Sequence, residues 1–236
     1  EITQEFVQPT GWSSVDTAEE IHQKLELAGI NLSDDSSCCV ATGYGRISVP
    51  YADKTVTEIT CHALGAVHLF QQPDLTVIDI GGQDTKIIQI EQGFVKDFIM
   101  NDKCAAGTGR FLEVMANTLS LRPNEMFDLA RLGSDTTISS MCTVFAESEV
   151  IGLIGKGEPK ENIAYAVVNS TIRKVAAQVS RMNGEMYTFC LTGGLCECDY
   201  IREALSKELG KEVISCPDAR YAGAIGAALS AMKIRK

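Results

Sequence analysis

Two glycine-rich turns, each directly after an apolar strand pattern, place the strongest constraint on what this chain can fold into. The first turn, Gly81–Asp84 (GGQD), separates LTVIDI at 75–80 from TKIIQI at 85–90 and predicts strand, turn and strand. The second turn, Thr192–Gly194 (TGG), follows the strand pattern MYTFCL at 186–191. Glycine accepts positive φ and lets backbone N–H groups approach a phosphate closely. Two such turns on separate segments indicate a nucleotide site more strongly than either turn does alone.

The side chains around the first turn carry the chemistry that a nucleotide needs. Asp79 lies at the end of an apolar strand, where a carboxylate is costly without a partner, and Mg²⁺ is a suitable partner. Gln83 could orient water, and Lys86 could lie near phosphate oxygens. An ordinary hairpin turn and a tight strand-to-helix turn remain the alternatives for the two motifs. The chain has no P-loop and no G-x-G-x-x-G motif between a strand and a helix, which argues against those two nucleotide folds.

The rest of the chain predicts an α/β fold that does not alternate as a Rossmann unit would. Helices are predicted at 14–28, 54–70, 107–119, 123–132, 142–154, 160–182, 199–209 and 221–232, and further strands at 38–42, 94–101 and 212–215. Thr17 and Glu20 have the spacing of a capping box in the first helix. Residues 1–8 resemble the middle of a strand system, so we expect that an N-terminal piece precedes them.

Cys104 and Cys142 each precede a helical pattern. A helix N-terminus offers unpaired N–H groups and partial positive charge, which favour a thiolate and an anionic iron–sulfur cluster. Gly107 and Gly109 would let backbone amides reach those sulfurs. A 4Fe-4S cluster normally takes four cysteines, and two copies of the chain on a two-fold axis would supply them. A small buried hydrophobic residue is the alternative for each cysteine.

Composition limits the remaining classes of function. The 236 residues are 45% hydrophobic, enough for a substantial core, and the net charge of −10 argues against binding to nucleic acid. No apolar run reaches the length of a membrane span. The nine cysteines are odd in number and irregular in spacing, so a disulfide framework is not expected and a reducing cytoplasm fits better. Cys196 and Cys198 are expected to be surface thiols, with a second metal as the alternative.

Several long segments resemble the activators of 2-hydroxyacyl-CoA dehydratases, which are grouped with the ATPase subunits of benzoyl-CoA reductases. The resemblance covers nearly the whole chain and is most specific around Cys104 and Cys142. The segments that carry it are ATGYGR (41–46), ADKTVTEITCHALGA (52–66), VIDIGGQDTK (77–86), MNDKCAAGTGRFLEVMA (100–116), SSMCTVFAESEV (139–150), LTGG (191–194) and PDARYAGAIGAA (217–228).

The resemblance implies the α/β, actin-like fold of the acetate and sugar kinase/Hsp70/actin superfamily, with two lobes around a nucleotide cleft. The N-terminal lobe would span 1–100, incomplete at its start because the superfamily's opening Asp-x-Gly-Ser/Thr turn is not in this sequence, and the C-terminal lobe would span 101–236. The implied site residues are Asp79, Gln83 and Asp84 for catalysis, Gly81, Gly82, Lys86, Thr192, Gly193 and Gly194 for the nucleotide, and Cys104 and Cys142 for iron.

The resemblance also implies a cytoplasmic homodimer that uses ATP, Mg²⁺ and one shared 4Fe-4S cluster. It would pass one electron to a dehydratase and receive it from ferredoxin or flavodoxin. A sugar kinase without a cluster, with Asp84 as its catalytic carboxylate, is the main alternative, and a non-catalytic iron–sulfur scaffold is another. Glu58 and His62, spaced i, i+4, could face the nucleotide cleft or form a structural pair. Arg46 could bind phosphate or pair on the surface.

Overall fold

The computed structural model describes residues 2–34, 37–139, 142–184 and 186–234. Glu1 of the predicted N-terminal strand pattern and residues 140–141 of the Cys142 segment lie outside these ranges. The described strands are β1 (Val40–Ala41), β2 (Lys54–Thr55), β3 (Leu75–Ile80), β4 (Thr85–Glu91), β5 (Phe94–Asn101), β6 (Thr188–Gly193) and β7 (Val213–Ile214).

Helices account for most of the remaining regular structure. They are α1 (Ser14–Leu27), α2 (Glu58–Phe70), α3 (Gly109–Thr118), α4 (Pro123–Ala130), α5 (Thr143–Gly155), α6 (Lys160–Val179), α7 (Asp199–Leu209) and α8 (Ala222–Ile234), with 3₁₀ turns at Tyr44–Ser48 and Pro217–Tyr221. None of these helices is long and apolar enough to cross a membrane.

A five-stranded sheet in the order β5-β4-β3-β6-β7 forms the centre of the fold. β3 pairs antiparallel with β4 and parallel with β6, and β6 pairs parallel with β7. Because β3 and β6 run in the same direction, their C-terminal ends lie side by side, with Asp79 opposite Thr192 and Ile80 opposite Gly193. Strands β3 and β4 precede residue 100 in the sequence, and β6 and β7 follow it. One sheet therefore contains strands from both predicted lobes.

Both faces of the sheet are covered, which explains why β3 is buried along its whole length. On one face, residues of α3, α4, α6 and α7 pack with β3, β4 and β6 into the larger core. On the other face, Ala63 and Ala66 of α2 pack against Leu75, Val77 and Ile88. A strand between two helical layers is buried on both faces, so its residues need not alternate between apolar and polar. The nearly continuous apolar run LTVIDI shows this pattern.

Helices α2 and α8 pack so closely that glycine is required at their contact. A Cβ atom added at Gly226 would lie 1.8 Å from the carbonyl oxygen of Cys61, and one added at Gly65 would lie 1.8 Å from that of Ala222. A Cβ at Gly223 would lie 2.9 Å from Nε2 of His62. The close approach of the α2 backbone therefore explains the small residues of α8. The same contact fixes the position of His62.

Gly226→Ala is expected to destabilise the fold by about 3 kcal/mol, because the added methyl group meets backbone atoms that can yield only if the two helices separate. The matched control is Gly152→Ala in α5, where an added Cβ meets no atom within 4 Å. That substitution should raise stability by about 0.5–1 kcal/mol through helix propensity. Urea unfolding of the two variants checks the pair, and equal effects would contradict the close packing.

The structure corrects several predicted boundaries. The helix predicted at 54–70 begins only at Glu58, because Lys54 and Thr55 pair with β1. The strand predicted at 186–191 lies at Thr188–Gly193 and so includes part of the second turn. No strand forms in residues 2–8. The predicted capping box was wrong: the side chain of Ser13 accepts from the N–H of Asp16, and Thr17 lies inside the helix.

Candidate functional site

The two glycine-rich turns form one continuous site at the C-terminal ends of β3 and β6. The Thr192 hydroxyl donates to Oδ1 of Asp79 at 2.9 Å, so the second turn is tied to the carboxylate that ends the first strand. Gly193 has φ +82°, and an added Cβ would lie 2.6 Å from the carbonyl oxygen of Ile80. Only glycine allows this approach, and the structure thus brings together the predicted residues of both turns.

Lys86 lies at the centre of a buried cluster of carboxylates. Its Nζ is 2.6 Å from Oδ1 of Asp84, 2.9 Å from Oε1 of Glu58 and 3.4 Å from Oδ2 of Asp79. The side chain is only 1% exposed. Burial by itself would lower the pKa of Lys86, but the charge of Asp79 and the contacts with Asp84 and Glu58 raise it above its ordinary value. The ammonium group therefore compensates the carboxylates beneath the turn.

Glu58 and His62 of α2 complete this cluster. Nδ1 of His62 lies 3.5 Å from Oδ1 of Asp79, and Nε2 lies 3.6 Å from Oε1 of Glu58. Burial opposes the charged imidazole, but Asp79 and Glu58 together raise the pKa of His62. Burial likewise opposes ionised Glu58, but His62 and Lys86 lower its pKa to about 2. His62 contacts Asp79 and Glu58 contacts Lys86, so the pair faces the first turn, which the sequence alone left open.

Two groups of oxygen atoms near the first turn have the chemistry that Mg²⁺ prefers. Ligand atoms of Glu58, His62 and Asp79 lie within 4.8 Å of one another, although Nζ of Lys86 lies among them and is also 2.6 Å from Oδ1 of Asp84. Oδ2 of Asp84, in contrast, is buried and has no hydrogen-bond partner among the described residues. A hard divalent cation prefers such oxygen ligands and would satisfy this atom.

A cavity of about 440 Å³ adjoins the second turn and is walled by one side of α4 and by the first turn of α7. A Cβ atom added at Gly194 would meet no atom within 4 Å, so this residue faces open space. The sequence pointed to Gly194 but not to α4, which is distant along the chain and has no motif of its own. The other lining residues are Asn124, Phe127, Asp128, Arg131, Leu195, Glu197, Cys198, Asp199 and Tyr200.

The start of α3 is hydrogen-bonded directly to the first turn. The N–H of Gly109 donates to the carbonyl oxygen of Gly81 at 2.9 Å, and the N–H of Arg110 donates to that of Gly82 at 2.8 Å. Gly109 is one of the two glycines expected to let backbone amides reach the cysteine sulfurs, and its own amide donates to the turn instead. Cys104 lies in the loop before the cap residue Thr108, and the helix terminus is used to hold the turn.

The loop that carries Cys104 is fixed from two sides. The Asn101 side chain donates to the carbonyl oxygens of Cys104 at 2.9 Å and Ala106 at 3.0 Å. The Thr85 hydroxyl donates to the carbonyl oxygen of Gly107 at 2.5 Å. A surface recess of about 580 Å³ joins this loop to the first turn, and its lining residues are Gly82, Gln83, Asp102, Lys103, Cys104, Ala105, Gly109, Arg110 and Glu113.

Cys142 is the N-cap residue of α5 and is exposed, which agrees with the predicted helix start. The exposed Cys142 and half-buried Cys104 are both accessible thiols, and their chemistry fits an iron–sulfur cluster. Cys196, in contrast, was wrongly expected on the surface. It is 5% exposed, and burial raises its pKa to about 11. Arg46 donates to the carbonyl oxygen of Gly43 and so closes its own turn.

This sheet order, with paired turns at the ends of two parallel neighbouring strands, defines an ATPase of the actin-like class. The chain belongs to the BadF/BadG/BcrA/BcrD ATPase family, which it matches over residues 2–231. It is 44% identical over 238 residues to the (R)-2-hydroxyglutaryl-CoA dehydratase activating ATPase of Acidaminococcus fermentans, covering 99% of this chain and 89% of that protein.

Solved structures agree with this assignment. The crystal structure of component A of the A. fermentans dehydratase has a TM-score of 0.86 and 42% identity, covering 96% of this chain and 87% of that one. The activator of the 2-hydroxyisocaproyl-CoA dehydratase from Clostridium difficile, solved with bound ADPNP, has a TM-score of 0.83 and 35% identity, covering 96% and 82%. The expected family and fold class are thereby confirmed.

Proposed function

We propose that this protein is a dehydratase activator that couples ATP hydrolysis to one-electron transfer through a 4Fe-4S cluster shared by two subunits. The observation that carries the proposal is the pair of hydrogen bonds from the start of α3 to Gly81 and Gly82. They join the phosphate turn to the segment that contains Cys104. A change of phosphate contacts at the turn is therefore transmitted to the cysteine loop by backbone atoms, without long side chains between them.

ATP is proposed to lie across the two turns, with its base in the cavity beside Gly194 and its phosphates at Gly81 and Gly82. Three features support this arrangement: the open space at Gly194, the exposed backbone of Gly82 and Gln83 in the first turn, and Oδ2 of Asp84, which has no hydrogen-bond partner among the described residues. Asp84 would hold Mg²⁺, which polarises the phosphate oxygens when bound. Asp79, fixed by Thr192 and Lys86, would keep the turn in place and the local charge negative.

Gln83 is exposed at the tip of the first turn, within the recess that also contains Cys104. An amide there can orient a water molecule toward a terminal phosphate, because it offers both a donor and an acceptor. Lys86 is expected to act on the phosphates only indirectly, since it lies beneath the turn among Glu58, Asp79 and Asp84.

Cys104 and Cys142 are proposed to ligate the cluster, which supplies low-potential one-electron chemistry when bound. Each chain offers two such thiols, so two subunits provide the usual four. The outer face of α5 supports a homodimer, because large apolar side chains that follow Cys142 are exposed. They are Val144 (67% exposed), Phe145 (67%), Ile151 (56%) and Ile154 (47%). Such an apolar face is typical of a surface that another subunit covers.

Phe145→Asp is expected to turn the dimer into monomers at micromolar concentration and to release most of the iron. A carboxylate in the middle of the apolar α5 face would be desolvated without a partner on association. Phe94→Asp is the matched control, since Phe94 is similarly exposed, at 77%, on the edge strand β5. Size-exclusion chromatography with light scattering, done without oxygen, measures both. A stable, iron-loaded dimer of the Phe145 variant would rule out α5 as the interface.

The acceptor of the electron is proposed to be a 2-hydroxyacyl-CoA dehydratase, with ferredoxin or flavodoxin as the reductant. The relatives support a dehydratase as partner, and they serve dehydratases of different acyl-CoA substrates. The choice of acyl-CoA therefore belongs to the partner enzyme. An electron donor must approach its acceptor closely, so the dehydratase would dock over the recess that contains Lys103 and Cys104.

Lys103→Glu is expected to slow electron delivery to the dehydratase at least tenfold while leaving ATP hydrolysis by the isolated protein nearly unchanged. Lys103 is exposed beside Cys104 in a recess that also includes Gly82 and Gln83, so reversing its charge should alter docking far more than the buried cluster beneath the first turn. Lys207→Glu on α7 serves as the control of equal charge change. Dehydratase activation and phosphate release are measured in parallel. Equal loss of both activities would indicate that Lys103 supports the fold instead.

A further inference from the structure

A second cavity, of about 450 Å³, lies between β5, the loop after Cys104, α6 and the residues that lead to Cys142. It is separate from the nucleotide turns and from the cavity beside Gly194, and it shares no lining residue with the latter. Its lining residues are Ile99, Met100, Asn101, Ala106, Gly107, Phe111, Ile138, Ser139, Ser170, Arg173, Lys174, Ala177, Gln178 and Arg181.

Positive charge is concentrated at this cavity in a chain whose net charge is −10. Arg173, Lys174 and Arg181 all line it, and none of them forms an ion pair within the described ranges. The stem of Lys174 runs past Gly107, where an added Cβ would lie 2.9 Å from Cγ. Cations gathered at a concave surface without acidic partners attract an anion.

Gln178 gives independent evidence for a polar ligand. This cavity-lining side chain is 4% exposed, and its Oε1 is buried with no hydrogen-bond partner among the residues that the structure describes. A buried amide atom without a partner costs about 1–3 kcal/mol, so native proteins rarely leave one. A polar group of a bound molecule would remove that cost.

The remaining lining restricts the ligand to an organic molecule rather than a bare ion. Ile99, Phe111 and Ile138 contribute apolar surface to the cavity. Cavities of about 300–1,000 Å³ suit small organic ligands, and apolar walls with a few convergent polar groups are their usual lining. A fully hydrated inorganic anion would leave this apolar surface uncompensated.

We infer that this cavity binds a small organic anion, with its charged group among Arg173, Lys174 and Arg181 and its apolar body against Phe111. Gln178 would bond to a polar group of the same molecule. The site goes beyond the proposed ATPase and cluster functions and does not depend on them. One ligand here would contact both the segment that follows Cys104 and the segment that precedes Cys142. A ligand in this position could therefore regulate the placement of the two cysteines.

Calorimetric titration of the purified protein with hexanoate, hexanol and inorganic phosphate tests the inference. Hexanoate is expected to bind with a dissociation constant of about 1 mM or lower, and the other two at least tenfold more weakly. Gln178→Leu and Lys174→Ala should each weaken hexanoate binding at least fivefold while leaving ADP binding unchanged. Lys207→Ala, outside this cavity on α7, should change neither affinity.

Three results would overturn the inference. Equal affinity for hexanol would show an apolar cavity without an anion site, and equal affinity for inorganic phosphate would show an anion site without an organic ligand. No hexanoate binding in the wild-type protein would show that the cavity is filled in solution, for example by a second copy of the chain. ADP affinity, measured on the same samples, separates these failures from failure of the proposed ATPase function.

Discussion

Serine in place of Cys104 or of Cys142 is expected to remove most of the iron from the protein, together with its sensitivity to oxygen. In a homodimer each single substitution deletes two of the four thiolates that a 4Fe-4S cluster normally takes, so neither site can be spared. The wild type, purified without oxygen, should carry about two irons per chain, as one shared four-iron cluster requires. Iron analysis and the visible absorption spectrum measure the change directly.

The variants should remain folded and should still bind nucleotide, because neither thiol belongs to the core and neither lines the cavity beside Gly194. Cys198→Ser is the matched control. Cys198 is half-buried at the N-cap of α7, where serine is a favourable residue, so iron content should not change. Four irons per monomer, or iron retained when both cysteines are replaced, would overturn the bridging arrangement. A colourless wild-type protein with phosphotransferase activity would favour the sugar kinase alternative.

The two glycine-rich turns could be predicted from sequence because the pattern that marks them is local. The apolar run that leads to Asp79 predicts a buried strand. The glycines that follow it predict a backbone that phosphate can approach closely. The adjacency of the two turns is a tertiary property, since it depends on β3 and β6 pairing in parallel across a long intervening segment. The family resemblance supplied that adjacency before the sheet itself showed it.

The charge cluster under the first turn was not predictable in the same way. Lys86 belongs to a strand, and alternation alone does not say that its ammonium group turns toward Asp84 and Glu58. Glu58 and His62 show the spacing of a helical pair, but a pair with that spacing occurs on many solvated surfaces. What places them here is the glycine contact between α2 and α8, and the small residues of α8 indicate close packing without identifying the partner helix.

The role of the α3 terminus shows a different limit of sequence reasoning. Amides at the start of α3 were expected to reach the sulfur of Cys104, but several acceptors compete for such amides. The carbonyl groups of Gly81 and Gly82 accept the amides of Gly109 and Arg110, because the first turn folds directly against the start of the helix. The pattern of residues thus identified the donors, while the fold decided the acceptors and created a direct link between turn and loop.

Gly194→Val is expected to weaken ADP and ATP binding at least tenfold, equivalent to about 1.4 kcal/mol or more. The valine side chain would occupy the space that is open at Gly194 and exclude a flat base or sugar from the cavity. The fold should tolerate it, since an added Cβ meets no atom within 4 Å. Gly194→Ala fills less of the space and should have a much smaller effect.

Asp79→Ala tests the other half of the same site and is expected to reduce Mg²⁺-dependent ATP turnover about 10- to 100-fold, the usual effect of removing a residue that positions a metal-binding group. Removing this carboxylate leaves Thr192 without its acceptor and changes the charge at the phosphate turn. Lys86 keeps Glu58 and Asp84 as partners, so the cluster should survive as a folded unit. Fluorescence titration with a labelled ADP and a phosphate-release assay separate the two effects. Unchanged nucleotide affinity in Gly194→Val, together with unchanged turnover in Asp79→Ala, would place the nucleotide elsewhere in the molecule.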